Sequence, residues 1–182
     1  MTAIDLFGGA GGMALGATMA GVNVTVAVEA DANAASTYSA NHSRVRVLNQ
    51  TVETVSRLRI SRRRPLMVFG GPPCQGFSIS NQKTRNSRNS GNWLFKEYLR
   101  VVGEVQPHWA VFENVTGILQ TEGGYFAREV HAGLTELGYA LSTWILDAAD
   151  FGVPQHRRRL FIVGSIKGIL LSAPAGRPVV YR

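Results

Sequence analysis

The sequence holds one cysteine, Cys74, among 182 residues. A single thiol excludes an internal disulfide framework and a cysteine-rich zinc site, and it suits a reducing compartment, so a cytoplasmic protein is expected. Acidic residues are scarce: twelve Asp and Glu face nineteen Lys and Arg, a formal charge of +7. No apolar run approaches the roughly 18 uncharged residues of a membrane span. The first residues meet Asp5 and a glycine cluster, unlike the apolar core of a secretory signal. Proline-rich linkers and internal repeats are missing too. What is present, 45% apolar and 17% charged residues, can bury a core in one domain.

The cations are unevenly spread. Ten of the nineteen fall between Arg57 and Arg100, with Glu97 as the one acid among them, and Arg157-Arg158-Arg159 form a second knot. A solvated basic surface would look the same by charge alone, but the clustering points toward a polyanionic partner. Short apolar runs alternate with helix-like stretches, the pattern of an α/β layered domain. Strands are expected at Ala3–Phe7, Val24–Val28, Leu66–Phe69, Ala110–Phe112, Ser142–Leu146 and Leu160–Val163, with a weaker one at Val45–Leu48. Helices are expected at Met13–Ala20, Ala32–Ala40, Val52–Arg59, Trp93–Val105 and Phe126–Leu137, with Gly21 and Gly138 placed to end two of them. Gln75 to Asn92 is a long irregular stretch rich in Ser, Asn and Arg, of the kind that forms lids or binding loops.

Four motifs sit at predicted strand ends. Asp5-Leu6-Phe7-Gly8-Gly9-Ala10-Gly11-Gly12 joins the first strand to the first helix, where glycines allow a tight turn and close ligand approach. Glu29, ending the second strand, suits the two hydroxyls of a ribose. The glycine string lacks the third glycine of a pyrophosphate-binding G-x-G-x-x-G, so a nucleoside cofactor without phosphates fits better, although packing alone could also demand these glycines. Gly70-Gly71-Pro72-Pro73-Cys74-Gln75-Gly76-Phe77-Ser78 continues from another strand. A lone cysteine can be an inert buried residue, but diproline stiffness and nearby cations favour an aimed thiolate. Phe112-Glu113-Asn114-Val115 ends a third strand; Glu113 either caps the next helix or is a carboxyl kept partly protonated in an apolar pocket. In Gln155-His156-Arg157-Arg158-Arg159-Leu160-Phe161, a period of two puts Arg157, Arg159 and Phe161 on one face. That face either grips a carbonyl and a carboxylate or is simply solvated, and His156 is expected to be exposed rather than catalytic.

These motifs, in this order, resemble those of the cytosine-5 DNA methyltransferases, from residue 3 to about 164. The resemblance implies a Rossmann-like S-adenosylmethionine-dependent fold: a mostly parallel seven-stranded sheet with helices on both faces and a last strand that can run antiparallel. It implies that Cys74 attacks carbon 6 of cytosine, that Glu113 protonates or hydrogen-bonds ring nitrogen 3, and that Arg157 and Arg159 orient and stabilise the activated ring. Asn114 and Gln155 would support them. The cofactor would be S-adenosylmethionine, held by Phe7, Gly8, Gly9 and Gly11, by Glu29 at the ribose, and by Pro73 and Leu94. DNA would be the partner, with Gln75, Ser78, Lys83, Arg85 and Arg88 on the loop that closes over it.

Some positions depart from the family pattern. Gln50 or Thr51 stands where the family has an Asp for the adenine amino group, Met13 replaces an aromatic residue, and Asn89 and Gly91 replace an Asp and an Arg. Residues 1–166 are read as the catalytic core and 167–182 as a C-terminal extension or connector. A target-recognition domain and the two final motifs of the family are not evident. The expected reading is one part of a split or truncated enzyme, working with a second polypeptide or as a homo-oligomer. An RNA cytosine-5 methyltransferase and a weakly active or inactive DNA-binding module of the same fold are the alternatives.

Overall fold

The computed structural model describes residues 1–55, 65–73 and 93–176. Its strands are β1 (Thr2–Leu6), β2 (Asn23–Glu29), β3 (Arg46–Asn49), β4 (Leu66–Gly70), β5 (Trp109–Val115), β6 (Ala140–Asp147) and β7 (Arg158–Ser165). The helices are α1 (Gly12–Met19), α2 (Ala32–Asn41), α3 (Leu94–Val105) and α4 (Tyr125–Glu136). They form one seven-stranded sheet in the order β3-β2-β1-β4-β5-β7-β6, and only β7 runs against its neighbours.

The central strands β1 and β4 are mostly apolar and buried because both sheet faces are covered there, while the edge strands β3 and β6 are mixed. On one face α3 and α4 pack a large core. Phe95, Tyr98, Val101 and Val102 project from one stripe of α3 onto Val68, Ala110 and Phe112. Each such side chain contributes about 1.5–3 kcal/mol by leaving water. On the other face Ala14 of α1 and Tyr38 of α2 meet Ala3, Ala27 and Phe69 in a smaller cluster. Gly21 and Gly138, at φ 80° and 89°, turn the chain out of α1 and α4.

The observed elements differ from the sequence expectation in several places. The helix expected over Val52–Arg59 is a 3-10 turn at Val52–Thr54, followed by an extended Val55; residues 56–64 lie outside the described set. The Val52 carbonyl accepts from Val55 N–H at 3.1 Å to close the 3-10 turn, and the Val52 and Val55 carbonyls also accept from Arg100. Phe7, expected to end the first strand, lies beyond it at φ 60°. β5 and β7 run past their expected ends, so Glu113, Asn114 and Arg159 are strand residues fixed by pairing. Trp93 precedes α3 as its N-cap. Residues 166–176 form no helix or strand, and Leu171 N–H donates to Ser142 Oγ at 2.8 Å.

Candidate active site and cofactor pocket

Strand order reverses between β1 and β4, so a crevice opens beyond Leu6 and Gly70, where parallel sheets bind ligands. Phe7 enters it in the left-handed conformation, which bulky residues rarely adopt outside functional turns. Gly9, at φ 54°, comes next but one, and its N–H donates to Glu29 Oε2 at 2.7 Å. Glu29 Oε1 accepts from Asp31 N–H at 2.8 Å. The carboxylate thus ties the glycine turn to the start of α2. Two oxygens offer about four acceptor sites, which leaves capacity for two hydroxyl donors.

Glu29 lines a cavity of about 260 Å3 together with Gln50, Thr51, Val52, Pro73 and Leu94. A second cavity, of about 540 Å3, lies beside it and contains Glu113, Arg157, Arg159, Phe161, Gly8 and Met13. Phe7 and Gly71 line both. The pair presents two different ends: one offers a carboxylate and polar Gln50 and Thr51, and the other opens on the charged group. Gly11 takes a different position. It is buried at the start of α1, its carbonyl is 3.0 Å from His42 Nε2, and a Cβ there would stand 2.5 Å from that nitrogen. Its role is to let α2 approach the turn.

In the larger cavity Glu113 and Arg159 face each other across the β5–β7 ladder, with Arg159 Nε 3.1 Å from Glu113 Oε1. Burial pushes the Glu113 carboxyl above its ordinary value, and the Arg159 and Arg157 guanidiniums only partly pull it back. A carboxyl so placed can hold a proton against a ligand. Asn114, buried on the opposite face of β5, donates from Nδ2 to the Pro72 carbonyl at 3.1 Å, while its Oδ1 accepts from Val115 N–H at 2.8 Å. The loop after β4 is thereby tied to the strand that carries Glu113.

Gly71 packs so closely on this carboxyl that a Cβ would come within 2.7 Å of Glu113 Oε2. Gly71→Ala should therefore displace the end of a flexible side chain rather than backbone. We expect an unfolding free energy within about 1 kcal/mol of the parent but a fall in turnover of about ten-fold from misplacement of the carboxyl. Denaturant titrations and steady-state kinetics on the same preparation check both.

Arg157 and Arg159 fall on one face with Phe161, as the period-two spacing predicts. Asp147, at the end of β6, organises the approach to them. Its Oδ1 accepts from Ala149 N–H at 3.2 Å and Arg157 N–H at 2.9 Å, and its Oδ2 is 3.2 Å from His156 Nδ1. Burial alone would raise this carboxyl, but those hydrogen bonds prevail and hold it below the usual carboxylate value. Gln155 and His156 are exposed on this loop. Asp5, the first residue of the glycine-turn motif but not among the expected site residues, also lines the larger cavity. It is 1% exposed and accepts from the Tyr38 hydroxyl at 3.0 Å. Cys74, Gln75, Ser78, Lys83, Arg85 and Arg88 lie outside the described residues, as do Asn89 and Gly91. Among the described residues no group of three metal-ligating side chains forms a cation site, and no helix is long and apolar enough to cross a membrane.

Comparison with known proteins agrees with this geometry. A family model for C-5 cytosine-specific DNA methylases matches residues 1–174. The chain is 40% identical over 179 residues to the type II methyltransferase M1.HphI of Haemophilus parahaemolyticus, covering 96% of this chain and 48% of that one. It is 41% identical over 170 residues to M.DdeI of Desulfomicrobium norvegicum, covering 90% of this chain and 40% of that one. The chain thus spans about half the length of these curated relatives. Against M.AquIA of Picosynechococcus it is 37% identical over 186 residues, with 94% and 74% covered. Among solved structures, an E. coli prophage-encoded protein described as a DNA modification methyltransferase superposes with a TM-score of 0.78 at 33% identity, covering 92% of this chain and 47% of that one.

Proposed function

Because the chain belongs to the C-5 cytosine-specific DNA methylases, we propose that it transfers a methyl group from S-adenosylmethionine to carbon 5 of cytosine in DNA. The supporting observation is one crevice with Glu113, Arg157 and Arg159 at one end, Glu29, Thr51 and Leu94 at the other, and Phe7 and Gly71 between. When bound, S-adenosylmethionine supplies the methyl group. Glu29 would accept from the ribose hydroxyls, Gln50 or Thr51 would meet the adenine edge, and Pro73 and Leu94 would pack on the nucleoside. Phe7, Gly8 and Gly9 would bound the methionine end.

Carbon 5 of cytosine is too weak a nucleophile for direct methylation, whereas carbon 6 is open to attack by a nucleophile. In the proposed reaction the Cys74 thiolate adds to carbon 6. Glu113, whose hold on a proton is strengthened by burial, gives its proton to ring nitrogen 3, so the charge released by the addition is neutralised there. Carbon 5 becomes nucleophilic and takes the methyl group. Loss of the carbon-5 proton to water, return of the nitrogen-3 proton to Glu113 and cleavage of the sulfur–carbon bond then restore the ring, the carboxyl and the thiolate. Arg157 and Arg159 would hold the cytosine oxygen. Asn114 would do its work through Pro72, two residues before Cys74 in the chain. The target base must leave the duplex to reach these groups, and Gln75, Ser78, Lys83, Arg85 and Arg88 would hold the opened DNA.

The test uses radiolabelled S-adenosylmethionine and DNA carrying 5-fluorocytosine. Because the chain spans about half of its relatives' length, it is run alone and with a second polypeptide bearing a recognition region. We expect label in DNA and a covalent adduct that maps to the Cys74 peptide. A chain that binds cofactor yet forms no adduct under either condition defeats the nucleophile assignment. Preferential labelling of competing tRNA would move the substrate to RNA.

A further inference from the structure

Arg100 extends from the middle of α3 to a segment distant in sequence. Its Nη2 donates to the carbonyls of Val52 at 2.9 Å and Val55 at 3.4 Å. On its own helix, Nε meets Glu97 Oε2 at 2.7 Å and Nη1 meets Glu104 Oε1 at 2.8 Å. Ion pairs at these spacings stabilise a helix by only about 0.2–0.5 kcal/mol each. Their larger consequence here is directional. With one acid on each side, the planar guanidinium has a fixed orientation, and its remaining edge points at two main-chain carbonyls.

The turn gripped in this way is a wall of the smaller cavity. Val52 is buried and lines it, and Glu53, Thr51 and Gln50 line it beside Val52. The turn is further tied by Thr54 Oγ1, which donates to the Thr51 carbonyl at 2.8 Å. Leu94, the first residue of α3, lines the same cavity. One helix therefore sets two walls, directly through Leu94 and at a distance through Arg100. We propose that Arg100, aimed by Glu97 and Glu104, is a positioning residue for the nucleobase end of the cofactor pocket, holding the Thr51–Val52 wall in place. The proposal rests on the reading of this cavity as the nucleoside site.

Titration calorimetry with S-adenosylmethionine and with methylthioadenosine, which keeps the nucleoside and lacks the amino-acid end, tests it on the full chain. Arg100→Lys keeps the charge between the two acids but cannot donate to both carbonyls in one plane. Its Kd should rise about ten-fold for both ligands by the same factor. KM for the cofactor should rise with it, while kcat at saturating cofactor and Kd for DNA stay within about two-fold. The double variant Glu97→Gln with Glu104→Gln retains Arg100 but loosens its aim, and should give a smaller rise of the same kind. Unchanged cofactor affinity in a folded Arg100→Lys chain overturns the proposal, as does an equal fall in DNA affinity or kcat, which marks a general prop of the fold. If Arg100→Lys does not fold, unchanged affinity in the double variant overturns it. If the parent chain binds neither ligand, the nucleoside reading of the cavity itself has failed.

Discussion

Replacing Glu113 with Gln is expected to lower kcat about 10²- to 10⁴-fold, the range for a lost general acid, with cofactor affinity nearly unchanged. Gln has the size of Glu and can still donate a hydrogen bond, but it has no proton to give. The carboxyl is raised by burial and held back by Arg159 and Arg157, which fixes the direction of the pH effect. In the proposed role its protonated form is the active one, so kcat falls as pH rises through the carboxyl's titration. Arg159→Gln removes the nearer restraint, 3.1 Å away. It should move that alkaline limb to higher pH even as it lowers the plateau rate. A limb that stays in place, or moves to lower pH, would mean that another group controls the profile. Stopped-time methylation assays across pH, at saturating cofactor and DNA, separate the two variants.

Much of this arrangement is legible in the sequence, because the chemistry sits at strand ends and strand ends are marked. Apolar runs bounded by Gly8, Gly71 and Gly152 locate β1, β4 and the approach to β7. Period two groups Arg157 with Arg159, and both line one cavity although Arg157 precedes β7. The reversed direction of β7 is set by its place between β5 and β6, both of which it pairs antiparallel. The groups that are not legible are those whose role depends on a distant partner. Val52 to Val55 has the spacing of a helical turn, but it closes only as a 3-10 turn, with Arg100 of another element donating to its carbonyls. Asp147 looks like an ordinary strand-terminal acid until the loop folds back to present Arg157 N–H. Gly11 reads as one more ligand-facing glycine, and only the packing of His42 shows what its missing side chain makes room for. Sequence patterns report local periodicity well; they are silent about which of two chemically similar residues a remote side chain will meet.

Asp5 supplies the second large effect, and it concerns stability. Its carboxyl is pushed from an ordinary 3.8 to about 7, first by burial and also by the Glu29 charge, while the Tyr38 hydroxyl opposes the shift. Below pH 4 the carboxyl is protonated whether the chain is folded or not. Between pH 4 and about 7 the unfolded chain loses this proton and the folded one keeps it, so stability declines as pH rises. At about 1.4 kcal/mol per pH unit, the full interval amounts to about 4 kcal/mol, a sizeable part of the roughly 5–15 kcal/mol that a domain has. Asp5→Asn removes the ionisation while its side-chain oxygen still accepts from Tyr38. The variant should match the parent near pH 4 and exceed it by up to about 4 kcal/mol at pH 8. Glu113, also raised, contributes the same sign in both chains and cancels in the difference. Denaturant titrations at pH 4, 6 and 8 give that difference directly. A parent that gains stability relative to Asp5→Asn as pH rises would show that Asp5 is ionised in the fold, with its charge compensated at the wall of the larger cavity.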